Sequence, residues 1–535
     1  MTAQAEASRP VAAVRWTVPG GRRGAAVAAV AAGGLLLASA FPPWGWWPCA
    51  VVGPALLFLA VRGRRPRMAF ALGTVFGVAF FAPLLWWLTN LGVLPWAVLS
   101  LVQAVLWGAL ACALPALARL PGSPVWLACW WVAAEAVRSR VPLGGFPWGR
   151  LAFSQAEAPA LGWASAGGAP LVSGVVALAA ACLAALAAAL AARRPRAGLG
   201  LAAAVAVMTC GVALVPDADG GEERATVAVV QGNVPRGRSV AEQARVERVA
   251  ENHIDATLAL ADDIRAGRAP RPDMVLWPEN ATDRDPRTDP ELSRRISQAA
   301  REVGAPIVVG AILDAPGDRI RNAALLWDPE DGPGPYYAKQ QLVPFGEYIP
   351  ARSLLGSFGD LQLVPRDFVA GGEPVRLDMG PVRLATSICY EVAYDGQVRG
   401  AVRTGANLIA VPTNNATYMR DDNLAQPEQQ LAMSRLRAVE HGRSVLVAST
   451  TGVSALIAPD GSVTDETGPW TRQVLTGTVP LRGTTTLATR LGPAPEYAIA
   501  LAAVAATALS LRRGARRRPD AAERDDAERD VAPPA

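Results

Sequence analysis

A cysteine with a carboxylate two residues later is the first group in this chain that could do chemistry. Cys389 closes the apolar, β-branched segment 382–388, Glu391 follows it, and no other cysteine lies between residues 220 and 485. Such a segment predicts a buried strand, and a thiol at the end of a core strand is where an α/β enzyme places a nucleophile. The alternative is a small buried apolar side chain. The choice between them depends on the partners that the chain supplies.

The basic residues supply one candidate partner. The chain has 51 lysines and arginines, and Lys339 is the one lysine among them. In a chain so biased toward arginine, an ordinary surface charge would have become arginine as well. Lysine differs from arginine in having a compact ammonium group whose pKa shifts readily on burial. We therefore predict that Lys339 has a role that needs a compact ammonium group and that a guanidinium cannot fill. The alternative is a lysine retained by chance.

A carboxylate completes the set. Glu279 follows the short apolar segment 274–276 and the rigid pair Trp277-Pro278, and the C-terminal end of a strand is where α/β active sites form. Alone, it would be interpreted as a surface acid after a turn. A cysteine nucleophile needs a base and a group that stabilises the oxyanion. Together, Glu279, Lys339 and Cys389 meet that need.

Histidine is the usual base for a cysteine, and the chain has two, His253 and His441. Each lies in a segment predicted to be a helix, where a solvated side chain is the expected outcome. A Cys–His dyad is therefore disfavoured.

The segment 220–485 has the mixed polarity of a globular domain. Apolar runs and amphipathic runs alternate along it, which predicts an α/β layered domain. The predicted strands are 225–230, 274–276, 306–312, 322–327, 382–388, 408–412, 444–448 and 453–457. The predicted helices are 240–266, 290–303 and 428–441.

The remainder of the chain is dominated by apolar residues. With 535 residues that are 51% hydrophobic, the chain is too long and too apolar for one soluble domain. We predict about eight membrane spans, each near the roughly 20 residues that a helix needs to cross a bilayer. They are 24–41, 47–62, 68–89, 93–118, 123–137, 170–192, 198–215 and 494–512. The predicted domains are therefore a cytoplasmic segment 1–23, a seven-helix bundle 24–215, the catalytic domain 220–485, a last span 494–512 and a disordered cytoplasmic tail 513–535.

The arginines predict the orientation of these spans. They cluster in alternate connections, so the positive-inside rule makes that side cytoplasmic and the domain 220–485 extracytoplasmic. This distribution indicates membrane topology rather than nucleic-acid binding. A lone cysteine in the outer domain fits an oxidising compartment without disulfides. Within the fifth span, Glu135 has Arg138 three residues on, and we predict that the two form a structural pair.

The catalytic candidates and their neighbours resemble one family. The order Glu279, Lys339, Cys389 is similar to that of the nitrilase superfamily. The whole range 24–512 resembles a membrane-embedded branch, the apolipoprotein N-acyltransferases. The matching motifs are Trp277-Pro278-Glu279, Leu342-Val343-Pro344-Phe345-Gly346-Glu347, Cys389-Tyr390-Glu391, Gln231-Gly232-Asn233, Gly145-Phe146-Pro147-Trp148 and Arg437-Ala438-Val439-Glu440-His441-Gly442-Arg443.

The resemblance implies an αββα sandwich mounted on membrane helices. It implies that Glu279 accepts a proton, that Lys339 stabilises the thiolate and the oxyanion, and that Cys389 is the nucleophile. Supporting residues are Glu347, which would orient Lys339, together with Tyr390 and Glu391 in the nucleophile loop.

The implied reaction is a transfer of a fatty acyl chain between two lipid substrates. The chain would pass from a membrane phospholipid, through a thioester, to the amine of diacylglyceryl-cysteine in an apolipoprotein. No cofactor, metal or nucleic acid is implied, and we expect a monomer in the cell membrane with its catalytic domain on the extracytoplasmic face.

The sequence departs from the family pattern in two places. Gln341 stands where the family often has histidine, and Asn414-Asn415-Ala416-Thr417-Tyr418 stands where it often has Asn-Asp-Ala-Trp-Phe-Gly. Two other functions stay open. A membrane-anchored hydrolase of the nitrilase superfamily would use the same three residues but would need one anchor rather than many spans. A transporter or scaffold with an outer binding module would not need a lone lysine and a lone cysteine in nitrilase order.

Overall fold

A computed structural model describes residues 23–193, 198–210, 223–234, 242–352, 366–419 and 423–516. The predicted cytoplasmic segment 1–23 lies outside these ranges except for its last residue. The predicted tail 513–535 lies outside them except for residues 513–516, which continue the last helix.

Helices occupy all eight apolar segments of the sequence. Their bounds are Arg23–Ser39, Cys49–Val61, Pro66–Leu84, Val93–Ala111 with its short continuation Leu114–Leu117, Ser123–Arg138, Ala164–Ala191, Gly198–Cys210 and Ala494–Arg516. The last five residues of the predicted span 198–215 lie outside the described part of the chain.

Fewer of these helices than predicted could cross a membrane by length and composition. Four of those described are long and apolar enough, namely Pro66–Leu84, Val93–Leu117, Pro159–Ala191 and Ala494–Arg512. Three others, Arg23–Ser39, Cys49–Val61 and Gly200–Thr209, are apolar but span only 10–17 residues, which is short of the roughly 20 that a bilayer requires. The helix Ser123–Arg138 has 16 residues and buries Glu135 and Arg138. The prediction of about eight spans is therefore supported only in part.

The polar part of the chain forms two six-stranded sheets. In chain order the strands are β1 Arg224–Gln231, β2 Met274–Leu276, β3 Ile307–Ala315, β4 Arg319–Asp328, β5 Gly332–Ala338, β6 Arg376–Met379, β7 Val382–Thr386, β8 Leu408–Thr413, β9 Ser444–Ser449, β10 Ala455–Ile457, β11 Val463–Glu466 and β12 Gln473–Pro480. The first sheet has the order β12-β1-β2-β3-β4-β5, and the second has the order β11-β10-β9-β8-β7-β6. In each sheet three central strands are parallel: β1, β2 and β3 in the first, β7, β8 and β9 in the second.

Helices cover the outer face of each sheet. The helices of this domain are Glu242–Arg265, Pro290–Val303, Asp395–Arg403, Ala425–His441 and Leu487–Leu491. The first two pack on the first sheet through one apolar cluster. A second cluster fills the space between the sheets. A third runs without interruption from the second sheet through Ala425–His441 into the eight apolar helices, which together form the membrane part of the molecule. The domain is therefore the αββα sandwich that the resemblance implied, and one of its helix layers faces the membrane part.

The ends of several strands converge on one place. β2 leads into Glu279, β5 into Lys339 and β7 into Cys389. The turn after β2 lies so close to β3 that a Cβ added to Gly310 would stand 1.9 Å from the carbonyl oxygen of Pro278 and 2.9 Å from Cα of Glu279. A glycine is needed at this position because backbone occupies the space that a side chain would fill.

We predict that Gly310→Ala displaces the turn that holds Glu279. Overpacking against a fixed backbone destabilises by about 1–3 kcal/mol, so the melting temperature of the purified protein should fall. Gly372→Ala is the control, because no atom lies within 4 Å of an added Cβ there. Equal melting temperatures for the two variants would contradict the close approach.

Candidate active site

An ammonium group held between two carboxylates lies at the centre of this site. The Nζ atom of Lys339 donates to Oε1 of Glu279 at 3.0 Å and to Oε1 of Glu347 at 2.9 Å. All three residues are buried, as is Cys389. The structure therefore brings together the three residues chosen from the sequence and the glutamate that was expected to orient the lysine.

Glu279 is held by three donors. Besides Lys339, its Oε1 accepts from Nδ2 of Asn322 at 2.7 Å, and its Oε2 accepts from the backbone N–H of Asn414 at 2.8 Å. Asn322 also donates to Glu347 at 3.0 Å. These bonds fix the plane of the Glu279 carboxylate. Sequence reasoning missed Asn322, whose one available signal was an amide side chain inside the apolar run of β4.

Burial and charge act in opposite directions on the lysine. Burial disfavours its ammonium form, but the charges of Glu279 and Glu347 outweigh burial and hold the pKa of Lys339 well above its ordinary value. Lys339 is therefore a fixed positive charge at any physiological pH. With 2% of its surface exposed, its pocket suits a compact ammonium better than the larger planar guanidinium of arginine.

The thiol of Cys389 is protonated at neutral pH. Burial, together with the negative charge of Glu279, raises its pKa to about 12, while the charge of Lys339 and a hydrogen bond from Thr413 act in the lowering direction. Its backbone φ is +53°, in the left-handed region that costs a non-glycine residue about 1–3 kcal/mol and that is concentrated at functional sites. A thiol in this environment needs a base before it can attack a carbonyl group.

Glu391 connects the segment after Lys339 to the nucleophile loop. Its carboxylate accepts from the backbone N–H groups of Gln340, Gln341 and Ile388 at 2.7–2.9 Å and from the Tyr337 hydroxyl at 2.9 Å. Burial raises the pKa of Glu391, and the N–H donors oppose that rise. Glu391 thus bonds to backbone on both sides, in the segment after Lys339 and just before Cys389.

Tyr390 connects the nucleophile loop to the membrane part. Its ring stacks on Phe146 at 6.1 Å and on Trp148 at 6.4 Å between centroids. Its hydroxyl donates to the Gly145 carbonyl at 3.3 Å, and the Tyr394 hydroxyl donates to the same oxygen at 2.9 Å. The residue next to Cys389 is thus packed on the aromatic loop that precedes the helix Ala164–Ala191.

Gln429, on the helix Ala425–His441, also bonds the α/β domain to the membrane part. Its Oε1 accepts from the indole N–H of Trp148 at 2.6 Å and of Trp87 at 3.3 Å. Its amide nitrogen donates to the carbonyls of Pro42 at 3.1 Å and Leu84 at 3.2 Å. One side chain of the α/β domain therefore bonds to three separate segments of the membrane part.

The predicted pair of Glu135 with Arg138 is wrong. The ion pair of Glu135 is with Arg150, at 3.7 Å, and its Oε1 also accepts from the backbone N–H of Leu151 at 2.7 Å. Arg138 instead donates to the Gln103 amide oxygen at 2.7 Å and to the carbonyls at residues 146 and 148. Helical spacing brings the two charges near each other, but the loop of residues 146–151 supplies closer partners to both.

Charged residues connect the turn that begins at Cys389 to the membrane part and to the helix Ala425–His441 of the α/β domain. Arg150 pairs with Asp395 at 2.7 Å, and Asp395 pairs with Arg437 at 2.8 Å. Arg437 donates to the carbonyls of Val392 at 2.8 Å and Ala393 at 3.1 Å. Both carbonyls belong to the short turn that begins at Cys389, so this network holds the turn in place.

The two histidines are buried rather than solvated. Burial lowers the pKa of His253 to about 4 and the pKa of His441 well below its ordinary value. The sequence prediction failed because their helices bury the faces on which they lie. His253 accepts from the Gly232 N–H at 3.2 Å, and His441 bonds to the Thr489 hydroxyl at 2.8 Å.

The loop that departs from the family pattern borders the site. Asn414 supplies the N–H to Glu279, and Tyr418 packs edge-on against Trp87 at 5.2 Å. The carbonyl of Tyr418 accepts from Asn90 at 2.6 Å. Gln341 contributes its backbone N–H to Glu391. Within the described ranges, no three histidine, cysteine, aspartate or glutamate side chains are grouped as metal ligands.

Known proteins are similar to this chain over most of its length. Residues 33–182 match the family described as the apolipoprotein N-acyltransferase N-terminal domain, and residues 226–489 match the carbon-nitrogen hydrolase family. An apolipoprotein N-acyltransferase of Mycolicibacterium smegmatis is 37% identical over 514 residues, which cover 91% of this chain and 86% of that protein. One from Geobacter metallireducens is 30% identical over 502 residues, covering 90% and 94%. Among solved structures, an amidase of the nitrilase superfamily from Nesterenkonia AN1 is 22% identical, covers 53% of this chain and 98% of its own, and has a TM-score of 0.37.

We predict that Glu279→Gln makes Cys389 more reactive toward iodoacetamide. The amide removes a negative charge that raises the thiol pKa, while Lys339 and its partner Glu347 stay in place. Below its pKa, the alkylation rate follows the thiolate fraction, so a fall of one in pKa gives about a tenfold increase.

The test follows labelling of the Cys389 peptide by mass spectrometry across pH 6 to 9, a range near neutrality chosen because the perturbed thiol stays mostly protonated there. Glu373→Gln, at an exposed position, should leave the rate unchanged. Equal rates for Glu279→Gln and Glu373→Gln would show that the charge of Glu279 does not act on the thiol pKa as the structure indicates.

Proposed function

The chain belongs to the apolipoprotein N-acyltransferase family and is an acyltransferase, and we propose that it moves a fatty acyl chain from a membrane phospholipid to the N-terminal amine of diacylglyceryl-cysteine in apolipoproteins. One observation supports this most directly. A protonated, buried thiol lies beside a carboxylate and a fixed ammonium group, and the turn that bears it is packed on an aromatic loop of the membrane part.

In the first half-reaction, Glu279 takes the proton of the Cys389 thiol. The thiolate attacks the carbonyl carbon of the phospholipid ester, and Lys339 stabilises the oxyanion that forms. The bond between this carbon and the ester oxygen breaks, and Glu279 returns its proton to the leaving lysophospholipid. The acyl chain remains on Cys389 as a thioester.

In the second half-reaction, the α-amine of the lipoprotein attacks the thioester. Glu279 takes a proton from the attacking nitrogen, the bond between carbon and sulfur breaks, and the thiolate recovers a proton from Glu279. The products are an amide and the free thiol. The two substrates thus react in turn with the same sulfur atom, which is a ping-pong sequence.

The location that suits this chemistry is the surface of the cell membrane. The four long apolar helices support membrane insertion, and we propose a multi-pass chain whose catalytic domain faces the extracytoplasmic side. Burial of the site favours acyl transfer over hydrolysis, because water excluded from the pocket cannot compete for the thioester. Glu347, Tyr390 and Glu391 act here as positioning residues.

A covalent intermediate is the expected result of the first experiment. The purified protein, incubated with a defined phospholipid, should gain one acyl mass that neutral hydroxylamine removes. Cys389→Ala should not gain it, whereas Cys112→Ala, which removes a thiol at the end of a membrane-part helix, should.

Addition of a diacylated lipopeptide should then move the acyl group to its amine. If the folded protein forms no adduct but hydrolyses short amides, it is an anchored hydrolase instead. Acyl transfer by Cys389→Ala would rule out the thioester.

We further predict that Lys339→Arg lowers the transfer rate by a factor of about 100 or more, which is the usual loss when a preorganised oxyanion donor is displaced. The charge is kept, but a guanidinium does not fit between Glu279 and Glu347 at the ammonium position. The steady-state transfer rate is compared with that of Arg366→Lys, which makes the reverse exchange in a more exposed ion pair. Comparable rates for the two variants would show that any cation suffices.

A further inference from the structure

Thr413 presents a hydroxyl group to the nucleophile. It ends β8 and is 2% exposed. Its Oγ1 lies 3.2 Å from Sγ of Cys389 and 2.9 Å from Oε1 of Gln430, with donor geometry toward both. A hydroxyl has one proton, so it can donate to only one of the two atoms at a time. Which atom receives it depends on the state of the sulfur.

The orientation of Gln430 fixes one of the two alternatives. Its Oε1 also accepts from Nδ2 of Asn415 at 3.1 Å and from Nε2 of Gln426 at 3.3 Å. Asn415 is anchored in turn by the Ser449 hydroxyl, which donates to its side-chain oxygen at 2.5 Å. Both Asn415 and Gln426 present amide donors to this atom, which assigns it as the oxygen. In this orientation Gln430 offers Thr413 an acceptor.

The same arrangement lets the Thr413 hydroxyl turn away from Gln430 at little cost in free energy. A carbonyl oxygen has two lone pairs, and the oxygen of Gln430 is approached by three donors. If the Thr413 hydroxyl turns away, Asn415 and Gln426 still satisfy it. The proton can therefore move to a stronger acceptor without leaving a buried acceptor unpaired.

We propose that Thr413 is a catalytic residue whose hydroxyl turns from Gln430 to the sulfur each time Cys389 becomes a thiolate. This proposal rests on the proposed function of Cys389 as the nucleophile. When the sulfur is a thiol or a thioester, Thr413 donates to Gln430. When Glu279 has taken the thiol proton, or when the thioester breaks, Thr413 donates to the negative sulfur.

The proton balance of each half-reaction is unchanged by this step. The mobile proton passes between sulfur and Glu279 and then to the leaving group, while Thr413 keeps its own proton and changes only its direction. A donor to the thiolate has a specific use in this site, since the ammonium of Lys339 is already shared between two carboxylates. The hydrogen bond from Thr413 also acts to lower the pKa of Cys389, against burial and the charge of Glu279.

The first test is the pH profile of iodoacetamide alkylation at Cys389 in the full-length purified protein. Thr413→Val keeps the shape and removes the donor, and charge-assisted hydrogen bonds are strong enough for about a tenfold slower reaction at fixed pH. Thr413→Ser should restore the rate. A Thr413→Val profile equal to that of the unchanged protein, in folded protein, would overturn the proposal.

The second test has the opposite sign. Gln430→Met removes the competing acceptor, so Thr413 should donate to sulfur at all times and alkylation should become faster. In the double variant Thr413→Val with Gln430→Met, alkylation should be as slow as in Thr413→Val alone, because no hydroxyl remains to be redirected. Slower alkylation in the single Gln430→Met variant, or additive effects in the double variant, would refute a shared proton.

These measurements need no acyl donor or acceptor. A failure here with an intact acyl adduct would therefore refute only the role of Thr413. An absent adduct with the predicted alkylation profiles would refute only the proposed function. The transfer rate of Thr413→Val should fall in both half-reactions, because each passes through the thiolate.

Discussion

The ammonium group of Lys339 between two buried carboxylates is the interaction on which this site depends. Without it, Glu279 and Glu347 would be two like charges facing each other in a pocket with little water. With it, both carboxylates have a cationic partner beside a thiol whose own pKa is raised. Asn322 bonds to both carboxylates, so the sheet holds the three charges at fixed separations. A compact cation suits this place, which gives a physical reason for one lysine in a chain otherwise supplied with arginine.

The sequence predicted the central strands and missed the peripheral ones. Four strands were not predicted, β5, β6, β11 and β12, and these are the four edges of the two sheets. Edge strands are exposed and tolerate glycine and proline, as in Gly332-Pro333-Gly334-Pro335 of β5, so they lack the apolar signal of central strands.

The site residues Glu279, Lys339 and Cys389 could be predicted from the sequence because each follows a strong strand signal or is rare in the chain. Asn322 and Thr413 were not, because their importance comes from contacts across the fold that no local pattern encodes. The burial of His253 and His441 was missed for the same reason.

The α/β domain and the membrane part meet through many different kinds of bond. Tyr390 stacks on an aromatic loop, Gln429 bonds to three membrane segments, and Arg150, Asp395 and Arg437 form a chain of ion pairs. On the side of the α/β domain, Tyr390 and Asp395 lie in or beside the nucleophile turn, and Gln429 and Arg437 lie on the helix Ala425–His441 behind it. The geometry around Cys389 therefore depends on the docking of the two parts as well as on the sandwich itself.

The uninterrupted apolar cluster between the second sheet and the membrane helices has a consequence for biogenesis. If the preceding apolar helices were not yet inserted and packed, the sandwich would expose the outer face of Ala425–His441, and exposed apolar surface of that kind promotes aggregation. The helix Ala494–Arg516, which follows the domain in the chain, packs back on Ser123–Arg138. The domain is thus an insertion within a helical bundle whose final member is synthesised last. Its maturation is coupled to completion of the bundle, and expression of residues 223–489 alone would yield a protein that lacks the helices on which Ala425–His441 packs.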